Sequence, residues 1–200
     1  MEQNKKYESL IFLGAILGCV AAVLDLIFTT AITHSFQLVS LISDGVIIVC
    51  LVFLVKSYLA HDKNLMNMMA GALMMALVLL QNQYTSLPDA GASGAMLIHG
   101  ICDLLLLAVL LAAFLNHIRT TFHHNRQESH ATLGLALLFV AAALSAVQIA
   151  VSTDIGDSFS FVRFMNWASW YCMELFILVA LVGMELQLNV FKIEKEKKAK

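Results

Sequence analysis

Apolar residues run along this chain in long blocks separated by short polar stretches. The blocks cover about 9–31, 37–59, 65–86, 94–117, 132–153 and 161–188, each long enough for a helix to cross the ~30 Å hydrocarbon core of a bilayer. Six membrane-spanning helices are therefore predicted. Proline interrupts none of them: Pro88, the chain's one proline, lies in the loop SLPDAGASG between the third and fourth blocks. Broken transport helices carry Gly or Pro interruptions, so these helices are expected to be continuous.

Composition strengthens the reading. Hydrophobic residues make up 60% of the chain and charged residues 13%, against roughly 45–50% and 25% in soluble domains. Mean hydropathy is +0.82. The fold class expected is an all-α membrane protein with six transmembrane helices, one domain over 1–200 with a basic tail at 189–200. The opening MEQNKKYESL is polar and the apolar run behind it is too long for a signal h-region, so the first span is expected to remain as an anchor. Cys19, Cys50, Cys102 and Cys172 all lie inside apolar blocks and form neither a CxxC motif nor a disulfide framework.

Charge sets the orientation. Lys5, Lys6, Lys56, Lys63, Arg119, Arg126, Lys192, Lys195, Lys197, Lys198 and Lys200 all fall on one side of a six-span topology. The opposite side carries Arg163 against Asp89, Asp154 and Asp157. The positive-inside rule then places both termini in the cytoplasm, as expected for an integral protein of the plasma (inner) membrane. The tail FKIEKEKKAK should meet anionic inner-leaflet lipid. The formal charge of −2 gives no reason to expect a nucleic-acid partner. A homo-oligomer or a membrane-complex partner would suit a chain with so little mass outside the bilayer.

The polar residues inside the spans line up as a repeat. The blocks pair into three hairpins, about 9–60, 65–118 and 132–188. In the odd spans Asp25 precedes LIFTT, Gln81 precedes NQYTS and Gln148 precedes IAVST: an acid or amide, then two hydroxyl residues. In the even spans LISDGVIIV, GICDLLLLA and YCMELFILV place Asp44, Asp103 and Glu174 equivalently. At 1.5 Å per residue, all of these fall in the outer half of the bilayer, and the inner halves read as almost purely apolar. Gly14, Gly18, Ala21 or Ala22, Asp25 and Thr29 share a face of the first span, and Gly14–Gly18 is a GxxxG pair that lets helices approach closely.

An ionised Asp near mid-membrane costs about 2.5–3.5 kcal/mol on translocon scales, so Asp25, Asp44, Asp103 and Glu174 ask for protons, a cation, water or one another. The candidate ion or ligand site comprises Asp25, Asp44, Gln81, His99, Asp103, Gln148 and Glu174, with Ser40, Tyr84, Asn166 and Trp170 lining it. His99 and Asp103 are four residues apart on one helical face. With Asp44 and Glu174 they are also the candidate metal ligands, and a divalent metal ion is the candidate cofactor. The alternative is that each acid is a hydrogen-bonded tie between helices. Trp167, Trp170 and Tyr171 have interfacial anchoring as their ordinary role and pocket lining as the alternative. His117, His123, Glu128, His124 and His130 read as a solvated polar loop whose spacing fits no zinc site.

Two functions follow from different classes. In the first, the protein transports or senses a proton, a metal cation or a small cationic solute through the outer carboxylate site. In the second, it is a non-catalytic subunit or scaffold whose acids hold helices together. No GxSxG, HExxH or phosphate loop asks for an enzyme. Acids converging beside a cavity would favour the first function, and acids scattered over separate helix contacts the second.

Overall fold

The computed structural model describes residues 4–33, 38–85, 94–122, 128–152 and 161–199. They form α1 (Asn4–Thr33), α2 (Leu38–Leu59), α3 (Lys63–Tyr84), α4 (Gly94–Phe122), α5 (Glu128–Ser152) and α6 (Phe161–Ala199). All six are long and apolar enough to cross a membrane, and the chain is a multi-pass membrane protein. Only helices and closed barrels keep every backbone group hydrogen-bonded in lipid, and α-helix is what these runs of Leu, Ala, Val and Met form. The tail expected at 189–200 continues α6 as helix to Ala199.

Side-chain exposure shows the bundle facing lipid. On α1, Ile11, Ala15, Ala22 and Asp25 are buried at helical spacing, while Leu13, Ile16, Val20, Val23 and Ile27 are exposed. The outward face is as apolar as the inward one, the pattern lipid asks for. The short α2–α3 connection turns through His61 in the left-handed region (φ 54°). Asp62 then caps α3, its Oδ1 accepting from the backbone N–H of Asn64 and of Leu65 at 3.1 Å each. At the other end of α3, Thr85 donates from its N–H and its Oγ1 to the Gln81 carbonyl, at 2.9 and 2.7 Å.

Helices adjacent in sequence pack as neighbours, α6 returns to α1 to close the ring, and α3 also touches α6 across the middle. The α1–α6 seam is by far the tightest. A Cβ built on Gly14 would stand 2.5 Å from Ala180 N and 2.6 Å from Phe176 O, and one on Gly183 would stand 2.9 Å from Leu10 Cβ. Each helix thus presses its backbone into the other where a glycine leaves room. The GxxxG pair does this on two partners, since Gly18 also faces Leu51 of α2, whose Cδ1 lies 3.0 Å from a Cβ there.

Gly14→Val should lower the melting temperature in detergent or nanodiscs, with an overpacking cost of about 1–3 kcal/mol. Gly45→Ala, where a Cβ meets nothing within 4 Å, should leave it unchanged or raise it slightly. Equal effects of the two substitutions would show that the seam is not the tight contact described.

Candidate functional site

The ends of the odd helices and the beginnings of the even ones meet at the end of the bundle opposite both termini, here the distal end. Late positions of α1 (Asp25, Thr29), α3 (Gln81) and α5 (Gln148) face early positions of α4 (His99, Asp103) and α6 (Asn166, Trp167, Trp170, Tyr171). Together they line a half-enclosed cavity of about 290 Å³.

Asp103 is the hub. Its Oδ1 accepts from Gln81 Nε2 at 3.3 Å and from Gln148 Nε2, and its Oδ2 pairs with His99 Nδ1 at 3.2 Å. Gln81 Nε2 also reaches the Asp103 carbonyl at 3.4 Å. Three helices therefore supply N–H groups to one carboxylate that is 5% exposed. His99 Nε2 in turn meets Tyr171 Oη at 3.2 Å, tying α4 to α6. With Nδ1–H donated to Asp103, Nε2 of a neutral ring accepts the Tyr171 proton; a charged ring would donate from both nitrogens.

Across the cavity, Asn166 Nδ2 donates to Asp25 Oδ1 at 3.3 Å and to Thr29 Oγ1 at 2.7 Å, joining α6 to α1. Part of the cavity wall is aromatic. Trp167 packs edge-on against Tyr171 with ring centroids 5.3 Å apart, and stacks on Phe164 at 5.8 Å. Asp25 and Asp103 line the same cavity as the indole and phenol rings, and both kinds of group favour positive charge.

The expected site is assembled in part. Asp25, Gln81, His99, Asp103, Gln148, Asn166 and Trp170 converge on the cavity. The aligned acid and amides of the odd spans, Asp25, Gln81 and Gln148, all reach it, whereas only Asp103 does so from the even-span acids. Asp44 is 1% exposed and Glu174 3% exposed, both outside the cavity lining. Asp44 lies within electrostatic reach of Asp25, and its Oδ2 has no hydrogen-bond partner among the described residues. Glu174 has Ser145 and Asp103 as polar neighbours, yet neither of its oxygens, nor Ser145 Oγ, makes a hydrogen bond of good geometry. The side chains of Ser40 and Tyr84 lie outside the described residues.

The candidate metal set does not come together. Among the described residues no three His, Cys, Asp or Glu side chains are grouped so as to hold a metal ion; His99 and Asp103 stand as a pair. Trp167, Trp170 and Tyr171 line the cavity wall, the alternative role given to them by the sequence.

The largest correction concerns His117. The apolar block fades at Asn116, so the residues beyond it read as loop, but α4 continues to Phe122. His117 lies inside the bundle at 3% exposure, its Nδ1 3.0 Å from Glu185 Oε1 and its Nε2 2.9 Å from the Asn67 carbonyl. The half of the bundle nearer the termini is therefore not purely apolar. A signal was available: His117 follows His99 by eighteen positions, five whole turns, and so shares its face. The remaining loop histidines, His123, His124 and His130, and Glu128 lie outside the described side chains.

No family model matches the chain, and neither a curated protein nor a solved structure matches it.

Asp103→Ala should destabilise the protein by at least about 1–3 kcal/mol, because it strands buried donors on three helices. Glu174→Met should be neutral or stabilising, since an unpaired buried acid gives way to an apolar side chain of similar volume. Thermal unfolding of both variants in nanodiscs checks this. A larger loss in Glu174→Met than in Asp103→Ala would reverse the assignment of the hub.

Proposed function

We propose that this membrane protein binds a small organic cation in the distal cavity and transports or senses it. By the charge bias of the chain that end faces outward and both termini are cytoplasmic. The observation that carries the reading is the convergence of Asp25 and Asp103 with Trp167, Trp170 and Tyr171 on one cavity inside a bilayer-embedded bundle. A desolvated cation over an aromatic face gains about 2 kcal/mol, and carboxylates on two sides add charge complementarity that a neutral solute cannot use. At about 290 Å³ the space suits a solute of a few heavy atoms rather than a drug-sized one.

The scaffold reading draws support from Asp44 and Glu174. Both are buried outside the cavity lining, so the cavity gives them no role.

Both tryptophans of the chain lie in the cavity wall, so intrinsic fluorescence reports on this site alone. Tetramethylammonium or a similarly small organic cation should change that fluorescence saturably. Asp25→Asn and Asp103→Asn should each raise the apparent Kd tenfold or more, a loss of about 1.4 kcal/mol. An uncharged molecule of the same shape should give no response. Saturable uptake into proteoliposomes would mark a transporter, and binding without flux a sensor. Silence of the wild-type protein toward every small cation tried would overturn the proposal.

A further inference from the structure

The amide groups around the distal cavity all turn the same end toward the protein. Asn166 Nδ2 donates to Asp25 Oδ1 at 3.3 Å and to Thr29 Oγ1 at 2.7 Å. A carboxylate only accepts, so the nitrogen is the end of this amide turned toward α1, and both of its hydrogens are engaged. Gln81 Nε2 gives its two contacts to Asp103, one to the carboxylate at 3.3 Å and one to the backbone carbonyl at 3.4 Å. Both of those oxygens accept, which fixes the nitrogen of Gln81 on that side. Gln148 Nε2 donates to the same carboxylate oxygen, and His99 Nδ1 faces the other at 3.2 Å. The indole nitrogen of Trp167 is buried and meets no acceptor among the described residues. Its N–H is therefore not presented to the open space of the cavity.

With these donors turned away, acceptors remain. An amide whose nitrogen is committed offers a ligand only its oxygen, and this holds for Asn166 and for Gln81. Among the described residues, the side-chain bonds of Asn166 use its nitrogen, and the bond to the Asp25 side chain goes to Oδ1. Asp25 Oδ2 and Asn166 Oδ1 are thus the acceptors that α1 and α6 bring to a ligand in the cavity they both line. An acceptor in so enclosed a place costs free energy when a ligand covers it without supplying a hydrogen.

The aromatic side of the cavity points the same way. Trp167 is stacked on Phe164 with ring centroids 5.8 Å apart, so one face of the indole is already covered. Tyr171 meets the indole edge-on at 5.3 Å. A cage for a fully alkylated ammonium relies on open aromatic faces and has no use for a hydrogen-bond acceptor. This cavity has fewer open faces and more acceptors than such a cage, and its rings suit the carbon part of a ligand whose charged end lies elsewhere.

We propose that the ligand of the distal cavity is a cation bearing N–H groups, a short primary amine in its ammonium form. Its hydrogens go to Asp25 Oδ2 and Asn166 Oδ1, and its carbon part lies against Trp167, Trp170 and Tyr171. This ligand class presupposes the cation-site reading above and narrows it. Asn166 is then the residue that sets the class. Charge on Asp25 attracts any cation, whereas the Asn166 oxygen distinguishes one that can donate from one that cannot.

Three molecules of one tetrahedral shape test this. Tetramethylammonium is a cation without N–H groups, tert-butylammonium a cation with them, and tert-butanol is uncharged. Each is titrated into the unsubstituted protein in nanodiscs at pH 7, where an alkylammonium keeps its proton as Lys does, with tryptophan fluorescence as the readout. tert-Butylammonium should bind about tenfold or more tightly than tetramethylammonium, and tert-butanol should give no response. Asn166→Leu, similar in volume but without the oxygen, should cut that preference to about threefold or less by weakening tert-butylammonium. Equal affinities for the two cations, or tighter binding of tetramethylammonium, overturn the N–H ligand and leave the cation site standing. The full preference kept in Asn166→Leu overturns the role of its oxygen. Silence toward both cations removes the cation site and this ligand class with it. Because the comparison of the two cations needs no substitution, failure of Asn166→Leu to fold leaves the test intact.

Discussion

A carboxylate placed within a bilayer has to be satisfied by the protein itself, and around Asp103 that requirement organises the distal half of the bundle. Gln81 on α3, Gln148 on α5 and His99 on α4 each turn an N–H toward it. His99 then passes the connection to Tyr171 on α6. Four helices are thus linked through one buried carboxylate, α6 by way of His99. The cavity is the space left beside it, walled by the aromatic residues of α6. Asp25 with Asn166 and Thr29 closes the remaining side between α1 and α6.

That α1–α6 boundary changes character along its length. Toward the termini it is a seam of backbone against backbone, with Gly14 under Phe176 and Ala180 and Gly183 under Leu10 and Ile11. Toward the distal end it holds an amide, a hydroxyl and a carboxylate. Close glycine packing excludes everything but van der Waals contact, whereas the polar stretch leaves room for a solute. A rigid seam at one end and a polar opening at the other belong to the same pair of helices.

Between the two polar levels lies a wholly apolar layer. On α4, Leu106, Leu110 and Ala113 continue the inward stripe from Asp103 to His117; on α6, Ile177, Leu178, Leu181 and Met184 do the same from Glu174 to Glu185. Leu73, Met74 and Leu77 of α3 fill the middle. This layer separates the distal cavity from the His117–Glu185 pair, so no chain of hydrogen bonds among the described residues joins the two levels. Glu174, buried at the top of the layer with both oxygens unpartnered among the described residues, is, like Asp44, an acid whose position the cavity does not explain.

Much of this was legible in the chain. Six apolar blocks with few charges, in a molecule that must satisfy its own backbone in lipid, leave helices as the solution. The inward face of α1 followed from its small residues and Asp25. The placing of Asp25, Gln81, Gln148, His99 and Asp103 near one level followed from the rise of a helix. Tertiary structure decided which of these meet. Asp44 and Asp103 match in sequence position, yet one lies outside the cavity lining and the other at the hub, because helix rotation about its axis is set by packing partners and not by depth. His117 looked like loop because hydropathy counts polar residues without knowing which face they occupy. Its neighbour Asn67 contributes a backbone carbonyl, which no side-chain pattern reports. Sequence determined what kind of helices these are and how far along them each polar group sits; only the assembled bundle decided toward which partner each one turns.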